Sequence, residues 1–419
     1  MMSVEEALER VLAHFRPMES EEAPLLGALD RVLAEDVLSP INIPPLDNTA
    51  MDGYALRAED AVGATRESPV RLWVTSELPA GYVAEETVAP GTAVRIMTGA
   101  PIPLGADAVA EFEVVDREGD EIVLRRPVPL DRNVRHAGED VRQGEVVLTR
   151  GTLLRPAEVG VLASLGRTRV RVVRRPRVAI LSTGDEVAVP GAELRPGQIY
   201  DANGYSVAAQ TVRCGGDPIL LGVARDRREE LANKLAEGLS AGADLLITSG
   251  GVSVGDFDMV KEVLAAEGRM EFWLVRMKPG KPLAFGLVRG VPLLGLPGNP
   301  VSAMVSFETF ARPAILKMSG RTAFHRPRVE ARLVDGLRRK DGRRHYLRVV
   351  VSRTEEGYEA RLTGDQGSGI LTSVARANGL AVVAEDRSWL PPGAAVPVIL
   401  FDQPEESWQG TDPACGRMP

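Results

Sequence analysis

Asp244-Leu245-Leu246-Ile247-Thr248-Ser249-Gly250-Gly251-Val252-Ser253-Val254-Gly255-Asp256-Phe257-Asp258 carries a short apolar run into a cluster of glycines and acids. The run Asp244–Ser249 is too short for a helix and reads as a buried strand. The glycines permit a tight turn, and Asp258 opens a helix expected to reach Glu267. Outward in both directions the same alternation repeats. Strands are expected at Arg177–Ser182, Pro218–Ala224, Phe272–Met277 and Val291–Leu294. Helices are expected at Asn203–Arg213, Arg227–Ala241 and Val301–Lys317. Such alternation predicts a multidomain α/β chain whose centre, residues 177–320, is a doubly wound, mostly parallel sheet. Ligands of such sheets bind beyond the carboxyl ends of the strands.

The flanks read differently. Residues 3–15 form an amphipathic helix, with Ser3 and Glu6 in a capping-box pattern. Ile41-Asn42-Ile43-Pro44-Pro45 is a linker, because its prolines exclude helix. Residues 46–138 show short strands between Gly and Pro turns: Arg71–Thr75, Ala93–Met97, Ala108–Val115 and Glu121–Leu124. Pro156 opens a helical run that ends at Gly166, and Arg169–Val173 reads as a strand. Beyond 321 the pattern returns to strands at Arg328–Leu333, Arg344–Val351, Tyr358–Leu362, Leu380–Ala384 and Ala395–Leu400. These fit a small barrel or sandwich. The polar stretch 404–419 is expected to be disordered.

Composition narrows the function classes. A chain of 419 residues is too long for one core. No apolar run approaches the roughly 20 residues that span a bilayer. The start lacks the basic and apolar regions of a secretion signal. The two cysteines, Cys214 and Cys415, make neither a disulfide framework nor a zinc cluster, so a reducing cytoplasm is the expected compartment. A net charge of −8 argues against broad nucleic-acid binding. Only six of the 50 basic residues are lysine, which makes the close pair Lys278 and Lys281 conspicuous.

Three expected strand ends carry unusual loops: Ser182-Thr183-Gly184-Asp185-Glu186, then Ser249–Asp258, then Gly295-Leu296-Pro297-Gly298-Asn299-Pro300-Val301-Ser302. Glycines there let backbone N–H groups face an oxyanion at a helix N-terminus. A single Gly-Gly is equally well a tight turn, but three such loops on one sheet favour a binding edge. They are not a Walker loop, since Pro282 follows Gly280-Lys281. Nor are they a dinucleotide fingerprint. Glu186, Asp226, Asp256 and Asp258 fall at or just after strand ends. Beside a phosphate site, carboxylates call for a divalent cation, and Mg²⁺ suits oxygen ligands. Asp226 and Asp258 also fit simple helix caps. Met277-Lys278-Pro279-Gly280-Lys281-Pro282 holds two point charges on a rigid turn, suited to a tetrahedral oxyanion or to solvent. In the N-terminal β region, the stretch from Asp47 to Ala55, Arg95 to Pro101, Asn133-Val134-Arg135 and Gly138-Glu139-Asp140 are dense in polar groups but fit ordinary loops too.

Taken in order, Met51-Asp52-Gly53-Tyr54-Ala55, Thr98-Gly99-Ala100-Pro101, Ser182–Glu186, Ser249–Asp258, Lys278–Pro282 and Leu296–Ser302 resemble the MoeA family of molybdopterin molybdenumtransferases. The C-terminal enzyme domain of gephyrin is a eukaryotic relative. The resemblance spans about residues 1–403 and implies four domains: 1–45 with 139–176 as an elongated linking domain, a β-rich domain at 46–138, a molybdopterin-binding domain at 177–320, and a C-terminal β domain at 321–403. It implies a homodimer with each site shared between subunits. It implies insertion of molybdate into molybdopterin-AMP with release of AMP and with Mg²⁺ as cofactor. Transient contact with the adenylyltransferase and with recipient molybdoenzymes follows from that step.

By the same resemblance the functional positions fall on Asp52, Thr98, Arg135, Glu186, Asp226, Asp258 and Lys278, with Lys281, Ser302, Arg343 and Ser368 forming a molybdate pocket. Gly369 and Ile370 stand where some relatives carry polar or basic residues. Glu186, Asp226 and Asp258 are the expected metal ligands. Ser182, Gly184, Gly250, Gly251, Ser253, Gly255, Gly298, Asn299 and Pro300 are the expected substrate-binding residues. Molybdenum ends on the pterin's own sulfurs, so neither cysteine is needed. The alternatives are a molybdopterin adenylyltransferase, which consumes ATP, and a non-catalytic gephyrin-like scaffold.

Overall fold

The computed structural model describes residues 1–250, 268–339 and 341–401. The chain forms two compact units: Met1–Glu22 with Asp30–Val32 and the chain from Arg171, and Ala23–Leu29 with Leu33–Val170.

The first unit is built on six strands, β1 (Arg177–Thr183), β2 (Asp217–Ala224), β3 (Leu245–Ser249), β4 (Gly268–Leu274), β5 (Pro282–Val288) and β6 (Val291–Leu296). Their order is β2-β1-β3-β6-β5-β4. β1 runs parallel to β2 and β3, and β3 runs parallel to β6. β5 is antiparallel to both β6 and β4, so it alone is reversed. All five residues of β3 are buried, as expected of a strand covered on both faces. Alternation along the strands sorts the side chains. Val178, Ile180, Leu245 and Ile247 join one core with Val207, Val301 and Phe307. Ala179, Leu181 and Leu246 join another with Leu221, Leu231 and Leu235. The helix Asn203–Arg213 supplies Val207 to the first core, and Arg228–Ser240 supplies Leu231 and Leu235 to the second from the opposite face. The mostly parallel, doubly wound sheet is therefore observed.

β5 is the strand that periodicity does not reveal. It opens on Pro282, follows a Lys-Pro turn and contains Gly286, all weak strand signals. Gly286 is required by close approach, since a Cβ there would lie 2.1 Å from the Arg269 carbonyl oxygen. The strand expected at Phe272–Met277 is divided into β4 and a short bridge, Met277–Lys278. The expected helix Val301–Lys317 is three joined segments, Pro300–Ser306, a π turn at Phe307–Ala311, and Arg312–Met318. Pro313 has no N–H to donate, which interrupts the regular ladder there.

The N-terminal helix Val4–Leu12 begins at Ser3, whose Oγ accepts a hydrogen bond from the Glu6 N–H at 3.1 Å. It buries Val4, Ala7 and Val11 in the same core as β1 and β3. At the other end of this unit, five strands close into a barrel: Arg344–Thr354, Gly357–Leu362, Arg328–Leu333, Ala394–Leu400 and Gly379–Val383, returning to the first. Closure leaves no open edge among those five. The barrel expected near the C-terminus is thus present.

The second unit carries a six-stranded sheet in the order Ala108–Glu111, Gly53–Leu56, Thr92–Ile96, Val70–Leu78, Glu121–Leu124, Val115–Glu118. Gly53–Leu56 overlaps the end of the stretch from Asp47 to Ala55 that reads as a loop, yet all four residues are buried. The run expected as one strand from Ala108 to Val115 is broken by a 3₁₀ turn at Phe112–Val114. Among the described residues no helix is long and apolar enough to cross a membrane.

Candidate active site

The carboxyl ends of β1, β3 and β6 open into a cleft of about 1380 Å³ in the first unit. Ser182 stands one residue before the end of β1, and its hydroxyl donates to Asp201 Oδ1 at 2.7 Å. The same oxygen accepts the backbone N–H of Gly204 at 2.8 Å. Asp201 is only 6% exposed, so it joins a strand end to the first turn of a helix inside the protein. The next residue pair is tied as well: the Asn203 amide donates to the Gly298 carbonyl at 2.7 Å. The end of β1, the segment Asp201–Gly204 and the loop at Gly298 are thereby tied together by side-chain hydrogen bonds.

Gly184 and Gly250 have φ of +140° and +97°, in the region that favours glycine. A Cβ on Gly250 would lie 2.7 Å from Thr183 Oγ1 and 2.8 Å from the Thr183 carbonyl oxygen. A Cβ on Gly184 would lie 2.6 Å from Glu186 Oε2, so the Glu186 carboxylate folds back over its own turn. Gly298 packs within 3.5 Å of Gly250 Cα by the same measure. These contacts make a compact floor of backbone, the arrangement that glycine-rich anion loops require.

Glu186 and Asp226 both line the cleft. The helix that follows β2 has Arg227 at its cap position, so Asp226 is not its cap. Asp258, Gly251, Ser253 and Gly255 lie outside the described residues, as does the expected helix Asp258–Glu267. Among the described residues no group of three or more His, Cys, Asp or Glu side chains gathers as a metal centre.

Lys278 and Lys281 are exposed and line the same cleft, while Met277, Pro279 and Gly280 between and before them are buried. The Val275 N–H donates to the Lys281 carbonyl at 2.8 Å and closes the turn. Met277–Lys278 also pairs in parallel with Arg344 and His345 of the barrel, bringing a second set of charges to the cleft. Asp341 is the hub of that set. It accepts from Arg343 Nη2 at 2.9 Å and from His345 Nε2 at 2.8 Å, and lies 3.7 Å from Lys278 Nζ. Burial works to raise its pKa, but the bonds from His345 and Arg343 outweigh burial and hold the carboxyl well below its usual range. Burial pushes the His345 imidazole down, against the pull of Asp341.

Two further arginines of this wall are buried. Arg339 is 7% exposed and donates to the carbonyls of Arg387 and Arg343, while its Nη2 has no hydrogen-bond partner among the described residues. Arg348 is 1% exposed and donates to Ser373 Oγ and the Gly367 carbonyl, each at 3.0 Å. Ser368 accepts the Val301 N–H through its carbonyl at 3.1 Å, which ties the 366–369 loop to the helix N-terminus carrying Pro300 and Ser302. Ser182, Gly184, Glu186, Asp226, Gly250, Lys278, Lys281, Gly298, Asn299, Pro300, Ser302, Arg343 and Ser368 thus share one cleft. Sequence reading missed Asp201, Asn203, Arg339, Asp341, His345 and Arg348. Their only advance signal is position, next to strand ends or within a β region rich in arginine.

Asp52, Thr98 and Arg135 belong to the second unit. Asp52 Oδ1 accepts both the backbone N–H and the hydroxyl of Thr98, each at 2.7 Å. The Thr98 backbone and hydroxyl bonds, with Arg95 nearby, lower the Asp52 pKa. Arg135 sits on a short ladder opposite Asn48. Asp52 and Thr98 are therefore one paired element, and Arg135 is not bonded to either. Cys214 is buried, and burial pushes its thiol up to about 11, which suits a packing role rather than a reactive one.

A doubly wound sheet with glycine-floored loops, two carboxylates and two lysines at its carboxyl edge defines a molybdopterin-binding type of domain. Residues 179–317 match the family model described as a probable molybdopterin binding domain. Residues 2–166 match the MoeA N-terminal region (domain I and II), and 330–401 match the MoeA C-terminal region (domain IV). A molybdopterin molybdenumtransferase 2 of Mycobacterium tuberculosis is 39% identical over 392 residues, 92% of this chain and 96% of that protein. The molybdopterin molybdenumtransferase of Haemophilus influenzae is 37% identical over 406 residues, 96% of this chain and 99% of that protein. Two crystal structures of the MoeA protein of Pyrococcus horikoshii, 35% identical, match with TM-scores of 0.83 and 0.80 over 96% of this chain and 100% of theirs. The chain belongs to the MoeA family of molybdopterin molybdenumtransferases.

Proposed function

We propose that this protein inserts molybdate into adenylylated molybdopterin and releases AMP, a transfer step in making molybdenum cofactor. The observation that carries the reading is the single cleft that gathers Glu186, Asp226, Lys278 and Lys281 over a floor of strand-end glycines. An anionic substrate needs such a floor for its phosphates and such cations for a second oxyanion. Gly298, beside Gly250, leaves room for phosphate oxygens to approach backbone. Lys278 and Lys281 attract molybdate, a dianion, to the same space.

Mg²⁺, which takes oxygen ligands and substrate phosphates, belongs to this reading. Glu186 and Asp226, with Asp258, would hold it, and when bound it would neutralise charge on the pyrophosphate as that bond breaks. Asp52, whose pKa the Thr98 bonds lower, would orient an attacking oxygen. Completion of the cleft by the second unit of a partner subunit, in a homodimer, belongs to the same reading. So do a cytoplasmic setting and transient contact with the adenylyltransferase and with recipient molybdoenzymes. The protein acts in this reading as a catalyst rather than as a scaffold.

The test is AMP release from molybdopterin-AMP, followed by chromatography, with and without molybdate. Release is expected to require molybdate and Mg²⁺, and Asp226→Asn is expected to slow it at least tenfold with folding intact. Molybdate-independent release, or adenylylation of molybdopterin from ATP, would overturn the assignment.

A further inference from the structure

The basic rim of the cleft contains its own anion. Asp341 faces Lys278, Arg343 and His345 at once, with Arg339 close enough to interact through its charge. Its bonds are unequal. Those to Arg343 and His345 are 2.9 Å and 2.8 Å, whereas Lys278 Nζ stands off at 3.7 Å with half its side chain exposed. The two short bonds fix the carboxylate in place. The long one leaves Lys278 able to turn to another anion while still feeling Asp341.

We propose that Asp341 is a specificity-determining residue of the cleft, a resident carboxylate that sets how strongly the Lys278–Arg343 rim holds an incoming tetrahedral oxyanion. The inference rests on the reading of this cleft as an oxyanion site. Lys278, Arg343 and Arg339 contribute three positive charges, and Asp341 cancels one. An oxyanion bonded to Lys278 would sit about 6 Å from Asp341, where with an effective dielectric of roughly 40–80 one unit of repulsion changes affinity roughly three- to tenfold. The same repulsion acts twice on a dianion, giving roughly ten- to a hundredfold. Asp341 therefore weakens dianions more than monoanions. It weakens the rim's hold on sulfate, phosphate and molybdate dianions alike, so that tight binding waits for contacts made elsewhere in the site.

The experiment compares molybdate with perrhenate, tetrahedral oxyanions of similar size that carry two charges and one. Binding to the full-length protein is measured by titration calorimetry at low ionic strength, where screening is least. Asp341→Asn keeps the shape and an acceptor oxygen and removes the charge. It is expected to tighten molybdate by a factor near the square of that for perrhenate, with an unchanged melting temperature. Unchanged or weaker binding of both anions would overturn the proposal, as would equal gains. Asp341→Ser serves if the first variant does not fold, and failure of both to fold would make Asp341 structural and likewise overturn it. Lys278→Ala is the control. If wild-type molybdate binding survives it untouched, the oxyanion reading of the cleft fails. If Lys278→Ala weakens binding while Asp341→Asn does nothing, only the role of Asp341 fails.

Discussion

Replacing Asp201 by alanine should unfasten the edge of the central sheet. Asp201 Oδ1 accepts two hydrogen bonds inside the protein, 2.7 Å from the Ser182 hydroxyl and 2.8 Å from the Gly204 N–H. A buried donor left without a partner costs about 1–3 kcal/mol. Ser182 keeps a contact with Ser249 Oγ at 3.2 Å, so its share falls at the low end. Gly204 has no such reserve. The expected loss for Asp201→Ala is about 3 kcal/mol. Asp201→Asn retains an oxygen that both donors can reach and should cost about 1 kcal/mol or less. Urea unfolding followed by far-ultraviolet circular dichroism measures both, fitted with as many transitions as appear. The variants should also separate in catalysis, because Ser182 and Asn203 line the cleft that Asp201 holds in register. Molybdate-dependent AMP release should fall sharply for alanine and modestly for asparagine. A loss below about 1 kcal/mol for alanine would refute the tie, because the stranded Gly204 N–H alone should cost about that much. Equal losses for the two variants would show that charge, not hydrogen bonding, is what Asp201 supplies.

Gly250→Ala should be far worse than an ordinary loop substitution, because its Cβ would meet the Thr183 carbonyl at 2.8 Å in a backbone at φ +97°. Backbone cannot step aside as a flexible side chain can, so a melting temperature within a degree or two of wild type would contradict the geometry. Thr98→Ala removes one of the two bonds that keep the Asp52 pKa low, so that pKa should rise toward the ordinary carboxylate range. The ionised form then disappears at higher pH as the solution is acidified. The acid limb of the AMP-release profile should therefore shift upward in Thr98→Ala and return in Thr98→Ser, and an unmoved limb would exclude Asp52 as an ionised participant.

Much of the fold was legible because two-sided burial writes a simple pattern. β1 and β3 are continuous apolar runs, their alternate residues serving two cores, and the strands of the barrel fall within a few residues of their expected bounds. β5 was not legible, because close approach put glycine where a strand would ordinarily show a branched residue. Gly53–Leu56 was hidden for a related reason. It is a four-residue strand whose neighbours on one side are a turn dense in polar groups. Local chemistry there describes the loop, while the ladder that buries the strand comes from residues around 95 and 110.

The site divides along the same line. Glu186, Asp226, Lys278 and Lys281 announce themselves because each stands in a loop whose other residues are constrained by backbone geometry. Asp201 and Asp341 are ordinary acids in sequence. They acquire meaning only when β1 meets a helix start, and when the bridge Met277–Lys278 pairs with the barrel strand beginning at Arg344. That pairing changes what Lys278 is. Read alone, it is a free cation on a rigid turn. Set beside Asp341, it is a cation whose attraction for an oxyanion is already partly spent. The strength of the rim is therefore a property of two segments distant in the chain, and substitution at Asp341 should alter oxyanion affinity without touching any residue of the Lys-Pro-Gly-Lys turn.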